Sequence, residues 1–313
     1  MTKLLSLSII ALISVSTALA QDIQFYTTDE GDKHIWGEFP IDYLKEDTTY
    51  STWFKSNYDT LKLEKTDFEW AKNLQDKEVD IYLGTWCGDS QEWVPQFLKL
   101  WDELGLRRDQ LRFTALYGSG DDYKQGPKRE EKGLNIHRVP TFIFKEGGKE
   151  YARIVESPST DMLTDVAQIA LGYPSAPNYA GANYLLQIFD SMTMEEVYEN
   201  IQSIYSTVYY KVGRYVELNT LGRVLSTSDR KKEALLVFQF NTYYYPGNWW
   251  THKTYAELLT EMENYSEAIK AYEKAISLNS ENEELKAELD RLQKLTPEKV
   301  GEEEGKGKAS SSN

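Results

Sequence analysis

The residue whose type and setting could do chemistry is Cys87, the single cysteine of a 313-residue chain. It sits in Gly84-Thr85-Trp86-Cys87-Gly88-Asp89-Ser90, between a short apolar run and an amphipathic one. A thiol at the start of a helix meets first-turn amides that lack an intrahelical acceptor, and these favour the nucleophilic thiolate. Such a thiolate attacks a disulfide sulfur and forms a mixed disulfide, whose release needs a second thiol. One turn on, position 90 holds serine, and its hydroxyl is too basic to perform that release near neutral pH. Intramolecular resolution reaches effective concentrations of roughly 10⁵ M in aligned cases, so its loss predicts slow turnover. Asp89 adds a like charge beside the sulfur and works against activation.

Other chemistries fit less well. The Thr-x-x-Cys spacing of peroxide-reducing thiols is missing, because Thr85 precedes Cys87 by two positions. His34, His137 and His252 share no ligand spacing, so no metal and no cofactor are expected. His137 precedes Val139-Pro140 and is a candidate to approach Cys87, the alternative being a surface histidine. A formal net charge of -15 argues against a nucleic-acid partner and against anionic lipid surfaces.

The elements that must position the cysteine follow from periodicity. Val79 to Leu83 reads as a buried strand, and Ser90 to Leu104 as a helix with Val94, Phe97, Leu98 and Trp101 on one face. Pro95 should kink that helix and Gly105 should end it. Leu111 to Tyr117 reads as a second strand, followed by a polar loop to about Arg138. Thr141 to Lys145 and Tyr151 to Glu156 flank Gly147-Gly148, a hairpin signature. Ser159 or Thr160 should cap a helix through Leu171, closed by Gly172. Upstream, Thr49 to Leu74 fits helical segments, and Gln21 to Thr48 could hold short strands.

This order resembles the thioredoxin-like family over about residues 56 to 172. Trp86-Cys87-Gly88 aligns with the start of that family's active site, Pro95 with its helix-kinking proline, and Val139-Pro140-Thr141 with its cis-proline loop. The resemblance implies an α/β sandwich with a central four- or five-stranded mixed sheet and helices on both faces. It further implies Cys87 as nucleophile and the amides of Gly88, Asp89 and Ser90 as thiolate-stabilising groups, with the Ser90 hydroxyl a possible further donor. Trp86, Val139 and Pro140 would dock an extended protein thiol or disulfide substrate. Dithiol members carry a buried acid six residues before the first cysteine, but here that position is Ile81, with Asp80 expected on the opposite face. The chain is thus similar to the monothiol Cys-x-x-Ser members, which act in deglutathionylation, disulfide isomerisation or thiol-mediated retention. The competing expectation is a non-enzymatic protein-binding scaffold with a degenerate site.

Beyond Tyr173, Pro174, Pro177 and Gly181 mark a linker, and Thr193-Met194-Glu195-Glu196 is a capping box that opens an amphipathic helix. Leu218, Leu221, Gly222, Leu225, Ala234, Phe238 and Pro246 find counterparts 34 residues later at His252, Tyr255, Ala256, Leu259, Ala268, Tyr272 and Ser280. That period resembles the tetratricopeptide repeat, and Glu283 to Leu295 resembles its capping helix. Two copies are few, so the array is expected to lean on the first domain and to recruit a protein partner on a concave surface. Tyr243-Tyr244-Tyr245 and Trp249-Trp250 would line it or pack between helices.

The expected division is a signal peptide at 1–20, an N-terminal extension at 21–55, a thioredoxin-like domain at 56–175, a linker and capping helix at 176–213, helical repeats at 214–296 and a disordered tail at 297–313. Lys3, the apolar stretch Leu4 to Val15 and Ala18-Leu19-Ala20 form the expected signal, which places the protein in the periplasm or outside the cell. No membrane insertion is expected after cleavage.

Overall fold

The computed structural model describes residues 22–63 and 68–295. The expected signal at 1–20 and the expected tail at 297–313 lie outside the described residues.

Alternating and continuous apolar runs build a six-stranded mixed sheet. Its strands are β1 (Gln24–Thr27), β2 (Lys33–Glu38), β3 (Glu78–Leu83), β4 (Leu111–Ala115), β5 (Thr141–Glu146) and β6 (Lys149–Val155), in the order β1-β2-β4-β3-β5-β6. β3 and β4 are parallel and every other pair is antiparallel. The sheet is wider than the four or five strands that the resemblance implies. The N-terminal hairpin β1-β2 joins it through Gly37 opposite Ala115 and Glu38 opposite Thr114. Gly147 and Gly148, at φ +55° and +75°, make the tight β5-β6 turn that side chains would disfavour.

The two faces of β3 meet different surroundings. Val79, Ile81 and Leu83 point into the main core with α2 (Ser51–Tyr58), α3 (Gly88–Glu103) and α4 (Met162–Ala170). There Phe97 lies 4.7 Å from the Phe142 ring and 5.4 Å from the Trp101 ring. Tyr82 belongs instead to a smaller cluster with Leu116, Ile136, Val139 and Ile143, against which Trp86 and Cys87 pack. Loop residues, rather than helix faces, supply most of that second cover.

Local chemistry sets the element ends. Asp161, not Ser159 or Thr160, caps α4 by accepting from the Thr164 amide at 2.9 Å. Asp165 is turned back to accept from the Ser159 and Thr160 amides, which lie before the helix start. Gly105 and Gly172, at φ +67° and +81°, follow α3 and α4 as C-terminal caps.

A helical region follows: α5 (Ala180–Ser191), α6 (Met194–Glu199), α7 (Ile201–Lys211), α8 (Tyr215–Ser226), α9 (Lys231–Tyr244), α10 (Trp249–Glu261), α11 (Tyr265–Leu278) and α12 over 283–295. A further short helix, α1 (Tyr43–Glu46), precedes α2. Pro174 and Pro177, which read as linker, lie in irregular backbone before α5, but Gly181, which read the same way, falls inside that helix. Gly181 is there for packing, since a Cβ would stand 2.5 Å from the Val212 side chain. The carboxylate of Glu217 reaches back to α5 and accepts from the Ala182 amide at 2.9 Å and the Gly213 amide at 3.1 Å. The α10 and α11 starts, at 249 and 265, each fall 34 residues after those of α8 and α9, at 215 and 231. Gly222 lets α8 and α9 approach, because a Cβ would meet the Phe238 ring at 2.3 Å. No helix among the described residues is long and apolar enough to cross a membrane.

Candidate active site

Cys87 occupies the N-cap of α3 with extended backbone at φ -95°, ψ 123°, and the helix begins at Gly88. The position is fixed from below. The Cys87 amide donates to the Gly84 carbonyl at 2.9 Å, and the Gln91 side chain donates to the Thr85 carbonyl at 2.9 Å. Trp86 donates from its indole to the Leu116 carbonyl at 2.9 Å. Its ring lies so close over Gly84 and Gly118 that a Cβ on either would stand 2.5 Å and 3.1 Å from it. Trp86 therefore braces the turn as well as bordering the thiol.

The thiol itself is half-buried and unpaired with any other cysteine. Its Sγ donates to the Val139 carbonyl at 3.2 Å and stands 4.0 Å from an Asp89 carboxylate oxygen. Val139-Pro140 is a cis peptide, and the Thr141 hydroxyl donates to the Arg138 carbonyl at 2.7 Å across the bend. Cys87, Val139, Pro140 and Asp89 are thus brought together. Ser90 is buried beneath them, and its hydroxyl accepts from the Gly84 amide at 3.1 Å. That bond ties the helix start to the end of β3, which gives the serine a structural part in the turn.

Behind the sulfur, Ile81 lies in the main core while Asp80 faces the other way and pairs with Lys145. The expected alternation holds, so no acid sits directly under Cys87 from this strand. His137 is fully buried, with Nδ1 3.4 Å from the Asn135 carbonyl and its ring edge-on to Tyr179. Burial pushes His137 down to about 3, leaving a neutral packed ring rather than a base beside the thiol.

Residues that the sequence reading passes over complete the surroundings. Arg138 donates to Glu156 at 3.1 Å and to the Val216 carbonyl of α8 at 2.8 Å, and its guanidinium lies 4.3 Å from the Tyr179 ring. Burial raises the Glu156 carboxyl, with Arg138 opposing that shift. Gln125 donates to the Thr227 carbonyl at 2.6 Å, a second tie from this loop to the helical region. Tyr123 and Lys124 fill the space beside Trp86. Tyr123, Lys124, Gln125 and Arg138 belong to a polar loop with no periodicity, so only the arginine beside Val139-Pro140 carried a positional signal. Among the described residues, no group of three or more metal-ligating side chains occurs.

The chain matches no protein-family model and no curated protein.

Proposed function

We propose that this protein is an exported, thioredoxin-like monothiol exchange protein whose helical region is a short tetratricopeptide-type array that recruits a protein partner. The observation that carries the reading is the placement of Cys87 at the N-cap of α3, 3.2 Å from the carbonyl of the cis Val139-Pro140 peptide. The strand order around β3 and the 34-residue offset of successive helix pairs support the two halves of the assignment.

In the proposed reaction the Cys87 thiolate attacks one sulfur of a substrate disulfide R-S-S-R′. The Cys87-S-S-R bond forms and R′S⁻ departs with the electron pair of the broken bond. First-turn amides of residues 88–90 stabilise the thiolate, and the backbone around Val139 offers an edge to an extended substrate segment. An external thiol then attacks the mixed disulfide, leaves with R and restores Cys87. Ser90 takes no part in that release, since its hydroxyl cannot act as the resolving nucleophile.

The scaffold reading is favoured by one observation: both groups nearest Sγ, the Val139 carbonyl and the Asp89 carboxylate, accept hydrogen bonds and so suit a thiol. Incubation with a disulfide-linked peptide, followed by electrophoresis without reductant, separates the two. Exchange predicts a reductant-sensitive adduct in the native chain and none in Cys87→Ser. A native chain that stays unmodified while retaining its protein partner would favour the scaffold.

A further inference from the structure

A cavity of about 390 Å³ lies between the loop that runs from Lys124 to His137 and the helices α5, α8 and α9. Protein interiors hold few voids larger than a water molecule, and this one falls in the size range of small-molecule sites. Its apolar wall is made by Ile136 of the loop, Leu186 and Phe189 of α5, and Leu221, Val224 and Leu225 of α8.

Polar ties hold the loop off the helices. Early in the loop, the Gln125 side chain donates to the Thr227 carbonyl at 2.6 Å, just after α8. Near its end, Asn135 accepts from Arg230 at 3.2 Å and donates to Asp190, whose carboxylate also accepts from Arg230 at 3.3 Å. The backbone of the loop is left-handed at Lys124, Arg129 and Asn135, with φ of +58°, +60° and +54°. Residues other than glycine keep that conformation only where their surroundings over-determine it. A loop fixed in this way cannot settle onto α8 and close the space.

The charges around the cavity are matched within the protein. Arg129 meets Glu131 at 3.2 Å, and Arg230 meets Glu233 at 3.0 Å as well as Asp190. The exposed Lys132 and Asp229 stand 3.8 Å apart. Lys124 turns its ammonium to the rings of Trp86 and Tyr123, at 5.0 Å and 4.9 Å, and neither ring lines the cavity. Burial keeps the His137 ring neutral. A charged occupant would therefore lose hydration without gaining a counter-ion, whereas an apolar one would lose little and cover the wall.

We propose that this cavity is a binding site for a neutral, largely apolar small molecule. The site stands apart from the exchange chemistry proposed for Cys87, and the failure of either leaves the other in place. Its wall does run on from His137 to Val139, whose carbonyl accepts from Cys87 Sγ, so an occupant braces the same segment that shapes the thiol site.

The test is a fluorescence titration of the full chain with N-phenylnaphthylamine, a neutral probe, and with anilinonaphthalenesulfonate, the same skeleton carrying a negative charge. The neutral probe should bind saturably at a single site, and the sulfonate should bind roughly tenfold or more weakly. Val224→Trp places a ring in the cavity from a half-buried position on α8. It should weaken the neutral probe by roughly tenfold or more while the urea midpoint stays near that of the native chain. Glu131→Gln leaves Arg129 without its carboxylate and should narrow the gap between the two probes by roughly threefold, a readout that stands even where Val224→Trp folds poorly. Equal affinity for the two probes, native affinity for the neutral probe in folded Val224→Trp, or an unchanged probe ratio in Glu131→Gln would each overturn the proposal.

Discussion

The sheet region and the helical region treat buried polar groups differently. Among the described residues, Asp80 Oδ1, His137 Nε2 and Arg138 Nε are buried without a hydrogen-bond partner in the sheet region, against Asn241 Oδ1 in the helical region. In the latter, Glu217 accepts two backbone amides, Asn219 accepts from Thr254 at 2.8 Å and Asn241 donates to the Tyr215 carbonyl at 3.0 Å. An unsatisfied buried polar atom costs about 1–3 kcal/mol, so the sheet region carries a destabilising set of groups that the helical region largely lacks. Three of those groups lie on or beside the elements around Cys87: Asp80 on β3, and His137 and Arg138 just before Val139-Pro140. The contrast says that the helical region satisfies its buried polar groups while the sheet region tolerates a cost near the thiol.

The comparison can be broken most forcefully in the dry core. Phe97→Ala removes a ring packed on Phe142 and Trp101 and should lower stability by about 4 kcal/mol in urea unfolding. A loss below about 1 kcal/mol would show that this core does not offset the cost the sheet region carries near the thiol.

Lys124→Met should act in the opposite direction. The folded chain holds this ammonium down at about 8, below its ordinary value, so the unfolded chain binds the proton more tightly between those pH values. The charged form therefore costs stability in full below pH 8, and the cost fades as pH rises through the ordinary lysine range. Its removal should stabilise the protein by about 3 kcal/mol at pH 7. A variant that is less stable than the native chain at pH 7 would contradict the contrast.

His137→Phe sharpens the same point on the acid side. The buried ring is pushed down to about 3 in the folded chain, so the unfolded state takes up the proton first as pH falls below about 6.5. By pH 5 the native protein should have lost about 2 kcal/mol from this group, and the variant should lack that part of the loss. Urea midpoints at pH 7 and pH 5 give the answer. The smallest expected effect is that of Asp89→Asn, which removes an exposed like charge 4.0 Å from the sulfur. It should speed alkylation about two- to threefold at low salt, with the gain shrinking as salt is added.

Much of this arrangement was legible in the residues. The β3 and β5-β6 strands, the α3 helix with its internal proline, Gly105, Gly172 and the Thr193 capping box all follow from periodicity and end chemistry, and Cys87 stands where the Trp86-Cys87-Gly88 pattern placed it. Helix α5 was not legible, because Gly181 signals a turn locally and its reason is a contact with Val212 across 31 residues of chain. Lys124, Tyr123 and Arg223 were hidden for the same reason. A non-periodic loop and a helix about a hundred residues further on meet only once the chain has folded, and nothing local marks a lysine that will be buried between rings.

The central claim is that Cys87 captures a disulfide partner and lacks the means to release it. The direct measurement is a time course by intact-protein mass spectrometry after mixing the native chain with a peptide disulfide, set beside Ser90→Cys. The account predicts an adduct of one peptide half on the native chain that persists until a reducing thiol is added, and rapid loss of that adduct in Ser90→Cys as an internal disulfide forms. A native chain that gains no adduct, or that releases it as fast as Ser90→Cys does, would contradict the account.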